Sequence, residues 1–92
     1  MTDEVTLRQR DDGSFDVDVR RGTTVTHHVV TVPGGLAAKL GAPDVDSAEL
    51  VRSSFHFLLE REPPSSILRT FSLDVIERYF PEYRAEMARR LS

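Results

Sequence analysis

The sequence predicts an α+β domain spanning residues 1–92. An antiparallel three-stranded β-meander (about residues 4–10, 14–20 and 23–32) should be followed by three to four helices packed on one of its faces. Three observations predict this. Apolar and polar residues alternate through the first third of the chain, the period of a strand with one wet face. Gly13 and Gly22 each close a short charged cluster between these runs, as hairpin loops do. Beyond Pro33 the apolar spacing lengthens to three and four residues, the period of helices.

In the first strand Val5 and Leu7 alternate with Thr6, Arg8 and Arg10; in the second, Phe15, Val17 and Val19 alternate with Asp16, Asp18 and Arg20. Parity then selects the loop. A two-residue Asp12-Gly13 turn would set Leu7 against Asp18 and mix apolar with charged side chains on one face. A three-residue loop, Asp11-Asp12-Gly13, opposes Leu7 to Val17, Val5 to Val19 and Arg8 to Asp16, with Gly13 in the left-handed position of a bulged turn. The same grammar applied to Arg20-Arg21-Gly22 opposes Val17 to Val25 and Phe15 to His27. After His28 the third strand is apolar on both sides, through Val29, Val30 and Val32. That predicts cover on both sides, by helices of this chain or by another subunit.

Pro33-Gly34-Gly35 ends the strand, and a short helix is expected over 36–40, closed by Gly41 and stopped by Pro43. Asp46 is the expected N-cap of a helix over 47–62, with Glu49 placed three residues on as in a capping box. Ala48, Val51, Phe55 and Leu58 or Leu59 recur at helical spacing, and Leu50 and Phe57 widen the apolar surface enough for two neighbours. Pro63-Pro64 ends it. Ser72 is a candidate N-cap for a helix over 73–80, with Phe71 and Ile76 as a hydrophobic staple. Pro81 suits the first turn of a last helix over 81–91, in which Tyr83, Met87 and Leu91 share a face and Glu86 pairs with Arg90.

The stretch SFHFLLEREPPSSILRTFSLDVIERYFPEY, about a third of the chain, resembles an uncharacterised family of small bacterial proteins. The resemblance implies no activity, ligand or catalytic residue.

Composition narrows the function classes. The chain has no Cys, so neither disulfides nor thiolate metal sites supplement its core. The opening MTDEVTLRQRDDG has no basic leader and no apolar run, and no later segment has the length of a bilayer span, so the expected location is the cytoplasm and no membrane contact is expected. Formal net charge is −3, and only residues 63–92 lean positive, with five Arg against four acids. A basic face, the electrostatic footprint of nucleic-acid binding, is missing.

Each chemical motif has a plainer explanation. His27 and His28 are adjacent on a strand and point to opposite faces, and with His56 alone to join either one, no metal site is expected. Asp16 and Asp18 share a strand face but lie on its solvated side, opposite Arg8 and Thr6. Ser53-Ser54 and Ser65-Ser66 lack a nucleophile-elbow context, and PGGL at 33–36 lacks the lysine and glycine spacing of a phosphate loop. No catalytic residue and no cofactor are expected.

The expected function is therefore a non-enzymatic protein–protein interaction module that self-associates as a dimer or takes a protein partner. Its contact residues would be Tyr79, Tyr83, Met87 and Leu91 on the aromatic-rich tail, with Phe71, Ile76 and Phe80 closing the core. The alternative is a dimeric regulator or antitoxin of ribbon-helix-helix type, which would place Thr24, Thr26 and His28 in the major groove of DNA. Asp44, Asp46 and Glu49 oppose it, because they set carboxylates where a phosphate would dock.

Overall fold

Strand pairing in the first hairpin follows the parity of the apolar residues. In a computed structural model, which describes residues 3–91, β1 (Glu4–Gln9) pairs antiparallel with β2 (Phe15–Arg21). Met1, Thr2 and Ser92 of the expected domain lie outside the described residues. Leu7 faces Val17, Val5 faces Val19 and Arg8 faces Asp16, the expected register. The three-residue loop is closed by hydrogen bonds from Arg10 N to Ser14 O (2.7 Å) and from Gly13 N to Arg10 O (3.0 Å). Gly13 has φ of 89°, where a side chain would be strained. The Asp12 carboxylate accepts from the Ser14 hydroxyl (2.6 Å) and the Ser14 N–H (2.9 Å), a local turn that holds its pKa below the ordinary carboxylate value.

The second hairpin corrects the expectation. β3 (Thr24–Thr31) also pairs antiparallel with β2, but Arg21 faces Thr24 across a two-residue loop, Gly22-Thr23. Gly22 is the first loop residue, with φ of 62°, the place where a type II′ turn demands a glycine. Phe15 consequently faces Val30, Val17 faces His28 and Val19 faces Thr26. An odd change of register turns every β3 side chain over. His28 and Val30 go into the core, while Val25, expected inside, is 60% exposed and His27 points outward to Asp18.

The sheet is also larger than a meander. β4 (Thr70–Ser72) adds to the far edge of β3, parallel to it, giving a mixed sheet in the order β1-β2-β3-β4. Three residues are too few to show a period of two, so Phe71 and Ser72 read locally as a staple and a cap. Ser72 makes no side-chain cap bond; the pairing of Val30 with Phe71 and Thr31 with Ser72 decides their conformation instead.

Helices α1 (Leu36–Lys39) and α2 (Ser47–Leu59) connect β3 to β4. Asp46 caps α2, its carboxylate accepting from Glu49 N at 2.8 Å, while the Glu49 side chain accepts from Ser53 at 3.2 Å. Residues 60–62 close the helix in a turn on the Leu58 carbonyl, so α2 stops short of Glu62. A 3₁₀ turn at Pro64–Ser66 precedes β4. A second, Leu73–Val75, leads into α3 (Ile76–Tyr79), and α4 (Tyr83–Leu91) ends the chain.

The helices lie on one face of the sheet, and α2 touches both β1 and α4, the two neighbours its wide apolar surface implied. Val17, Val19 and Val30 of the sheet, Val51, Phe55 and Phe57 of α2, and Met87 of α4 form one fully buried cluster. Thr6, Arg8, Asp18, Arg20, Val25 and His27 leave the other face wet. Among the described residues no helix is long and apolar enough to cross a membrane.

The register makes an ordering of stabilities testable by urea denaturation. Val30→Ala should lower stability by about 2 kcal/mol, through lost burial and the cavity left behind. Val25→Ser should change it by about 0.5 kcal/mol or less. The reverse ordering would restore the three-residue second loop.

Candidate functional site

A groove opens where the chain returns from α2 to the sheet. After Pro63-Pro64 the segment 67–72 is laid along β3 by two bonds beyond the short ladder: Val29 N donates to Arg69 O (2.6 Å), and His28 Nδ1 donates to Leu68 O (2.8 Å). Residues 75–80 then come to lie beside Leu58 of α2. Between them lies a cleft of about 400 Å³ walled by Leu58, Ile67, Phe71, Val75, Ile76 and Phe80. Glu62, Ser66 and Tyr79 are the lining residues that carry polar side-chain groups. Leu68 (50% exposed) and Tyr79 (67% exposed) stand on its rim.

His28 anchors this arrangement from beneath. It is 1% exposed, and its ring meets Phe55 edge-on at 5.4 Å. Since Nδ1 carries the proton given to Leu68, the tautomer leaves Nε2 to accept from the Thr26 hydroxyl at 2.9 Å. Burial holds the pKa of His28 below the ordinary histidine value; His27 and Arg69 push the same way, while the carbonyl bond and Asp18 oppose.

Glu62 behaves differently from the other acids near it. Glu60 is bonded to Arg90, and Glu82 to its own backbone N–H and to Arg61, and both are held below the usual glutamate value. Glu62 makes no ion pair with any described residue, and partial burial pushes its pKa up.

The expected partner-binding residues separate. Tyr79 reaches solvent at the groove. Tyr83, expected on the surface, is 1% exposed: its hydroxyl bonds Ser54 Oγ at 2.8 Å and its ring packs edge-on against Phe57 at 5.3 Å. Burial pushes that phenol up to about 12. Met87 is fully buried and Leu91 partly so. The shared face of Tyr83, Met87 and Leu91 was legible as a helical stripe, but α2 covers it. Above it, Arg61 lies 3.7 Å over the Phe57 ring and bonds Glu82, while Arg90 bridges Glu60 and Glu86.

The residues expected to read DNA lie on β3 but differ in exposure. Thr24 is exposed at the start of β3, Thr26 is half-buried and His28 belongs to the core. β2 pairs along one edge of β3, and β4 takes Val29, Val30 and Thr31 on the other. On the outer face His27 lies between Asp18 and Asp16, with Arg10 Nε 3.3 Å from Asp16 Oδ1. That buried oxygen has no aligned hydrogen bond, so its charge is met by proximity alone. Among the described residues no three His, Asp or Glu are grouped to hold a metal.

Glu62 and Leu68 were not singled out in the sequence. Glu62 reads there as the last helical residue, and Leu68 as one of several apolar tail residues. The one local signal is the Pro63-Pro64 break, which forces the chain to turn beside the end of α2. A second cleft, between α1 and the α3–α4 region, holds charges of both signs, with Glu77 already paired to Arg84 at 3.1 Å.

Comparison with family models, curated proteins and solved structures found no match for this chain.

Two outcomes follow from this geometry. Tyr83→Ala should destabilise the fold by roughly 3 to 5 kcal/mol and Tyr83→Phe by about 1 kcal/mol, the latter by stranding the Ser54 hydroxyl. Equal stability of all three forms in chemical denaturation would place Tyr83 on the surface. For His28 the unfolded chain binds the proton more readily than the folded one, so stability should fall as pH drops below the unfolded value of about 6.5 and through the lower folded value. Comparing urea midpoints above and below that window, in the natural chain and in His28→Gln, should show the slope only in the former.

Proposed function

We propose that this chain is a non-enzymatic interaction module whose groove seats an apolar protein segment bearing a basic residue. One observation carries the reading: two of the large apolar side chains left in solvent, Leu68 and Tyr79, stand on the rim of the same apolar groove. Exposed apolar surface gathered around a concave site favours a partner, whereas isolated exposed residues need none. Tyr79 suits the contact because an aromatic ring offers large area for little lost rotamer freedom.

The polar groups support binding over chemistry. Glu62 and Ser66 line the groove together with Tyr79, and the lining holds no histidine, second carboxylate or lysine to form an acid–base couple with them. An unpaired carboxyl beside apolar walls instead favours a cation delivered along with apolar side chains.

The test is NMR titration with an amphipathic Leu/Lys peptide. Amide shifts should concentrate at Ile67, Phe71, Val75 and Tyr79, and the peptide should be recovered intact. Tyr79→Glu, at an exposed position, should abolish the shifts while leaving the melting temperature unchanged. Shifts scattered over the outer face of the sheet, or none at saturating peptide, would overturn the reading.

A further inference from the structure

His28 joins a proton-binding group to the wall of the groove. Among the described residues it is the buried histidine, His27 and His56 being exposed. Both ring nitrogens are bonded, Nδ1 to the Leu68 carbonyl and Nε2 to the Thr26 hydroxyl, and α2 presents the uncharged Phe55 ring. Of the charged groups that bear on it, Asp18 on β2 favours a proton, while His27 on β3 and Arg69 beside β4 oppose one. Asp18 is exposed and already bonded to His27, so it gives the core no ion pair. A protonated His28 would therefore be a charge buried without a carboxylate, a strongly disfavoured state that opening the structure to water relieves. The β4 side is the easier to open: β3 is joined to β2 by seven residue pairs, but to β4 by three, with the Val29–Arg69 bond beyond them. Residues 67–72 would leave together, taking Ile67, Leu68 and Phe71 from the groove.

We propose that His28 gates the groove by protonation. The neutral ring keeps residues 67–72 on β3 and the groove formed; proton uptake frees the segment and dismantles the wall. The gate rests on the groove being a binding surface, and adds the condition under which that surface exists. Binding weakens as pH falls below the ordinary histidine value of about 6.5. Linkage is reciprocal, so an occupied groove holds the segment down and makes His28 harder to protonate.

Binding of the Leu/Lys peptide to the full chain, read by fluorescence anisotropy at about pH 7.5 and about pH 5, tests the gate. Glu62 also loses charge in acid, so the comparison is between Glu62→Gln and the same variant with His28→Gln. Glutamine can donate to Leu68 and accept from Thr26 without titrating. Affinity should fall by about tenfold in the first variant and stay level in the second. In the natural chain, where no variant has to fold, the His28 imidazole followed by NMR should titrate at lower pH with peptide bound than without. The Val29 amide, which donates to the Arg69 carbonyl, should lose protection from hydrogen exchange in acid ahead of the β1–β2 amides. Equal affinity of Glu62→Gln at both pH values, with the same His28 titration in free and bound chains, would overturn the gate and leave the binding surface standing. A pH dependence that survives His28→Gln would overturn the assignment to His28. No peptide bound at either pH would overturn the binding surface, and Val29 protection unchanged in acid would overturn the release of residues 67–72 whether or not peptide binds.

Discussion

The bond from His28 Nδ1 to the Leu68 carbonyl is the constraint on which the rest of the structure depends. It crosses 40 residues of sequence and ties the inner face of β3 to the segment that becomes β4. Without it the chain leaving Pro63-Pro64 would have three ladder residues and the Val29–Arg69 backbone bond to hold it against the sheet, few for a parallel pairing. A buried imidazole needs both ring nitrogens satisfied, and Thr26 and Leu68 do this only when Leu68 lies beside β3. The side chain of Leu68 is thereby turned out to the groove rim. One polar group in an apolar core specifies the position of an exposed hydrophobic residue on the far side of its backbone.

Helix α2 divides the core between two neighbours. Phe55 meets His28 and, at 6.0 Å, Phe71 on the sheet side; Phe57 meets Phe80 and Tyr83 on the helical side. The Ser54–Tyr83 bond sits between these clusters and gives α4 one orientation against α2. Arg61 and Arg90 then close the edge of the Phe57 cluster, their stems and planes covering apolar surface while their charges reach Glu82, Glu60 and Glu86. Tyr79 and Tyr83 are four residues apart, yet one is in solvent and the other in the core. The chain breaks helical continuity at Phe80-Pro81, so the two tyrosines do not share a face.

The sheet manages its edges in different ways. The Arg52 guanidinium donates to the Val5 carbonyl at 3.0 Å, engaging the outward side of β1. At the other edge, β4 is three residues long and passes directly into a 3₁₀ turn, which offers little template for another strand. Asp3 and Arg21 make a bidentate pair, both bonds at 2.7 Å, that holds the start of β1 to the end of β2.

The sequence by itself determined the fold class, the first hairpin with its register, the Asp46 cap and the helical stripe of Tyr83, Met87 and Leu91. Each is a local matter: alternation, a loop whose parity had one good answer, a side chain reaching an N–H three residues on, a spacing of four. Tertiary structure decided the register of the second hairpin, the existence of β4 and which face of the tail meets water. Two loops were compatible with Arg20-Arg21-Gly22-Thr23, and they differ by an odd number of residues, so choosing between them meant knowing which of His27 and His28 finds partners inside. Those partners, Thr26, Phe55 and the Leu68 carbonyl, are brought together only by folding. The groove inherits the same dependence, because Leu58, Glu62, Leu68 and Tyr79 become neighbours through long-range packing that no local period encodes.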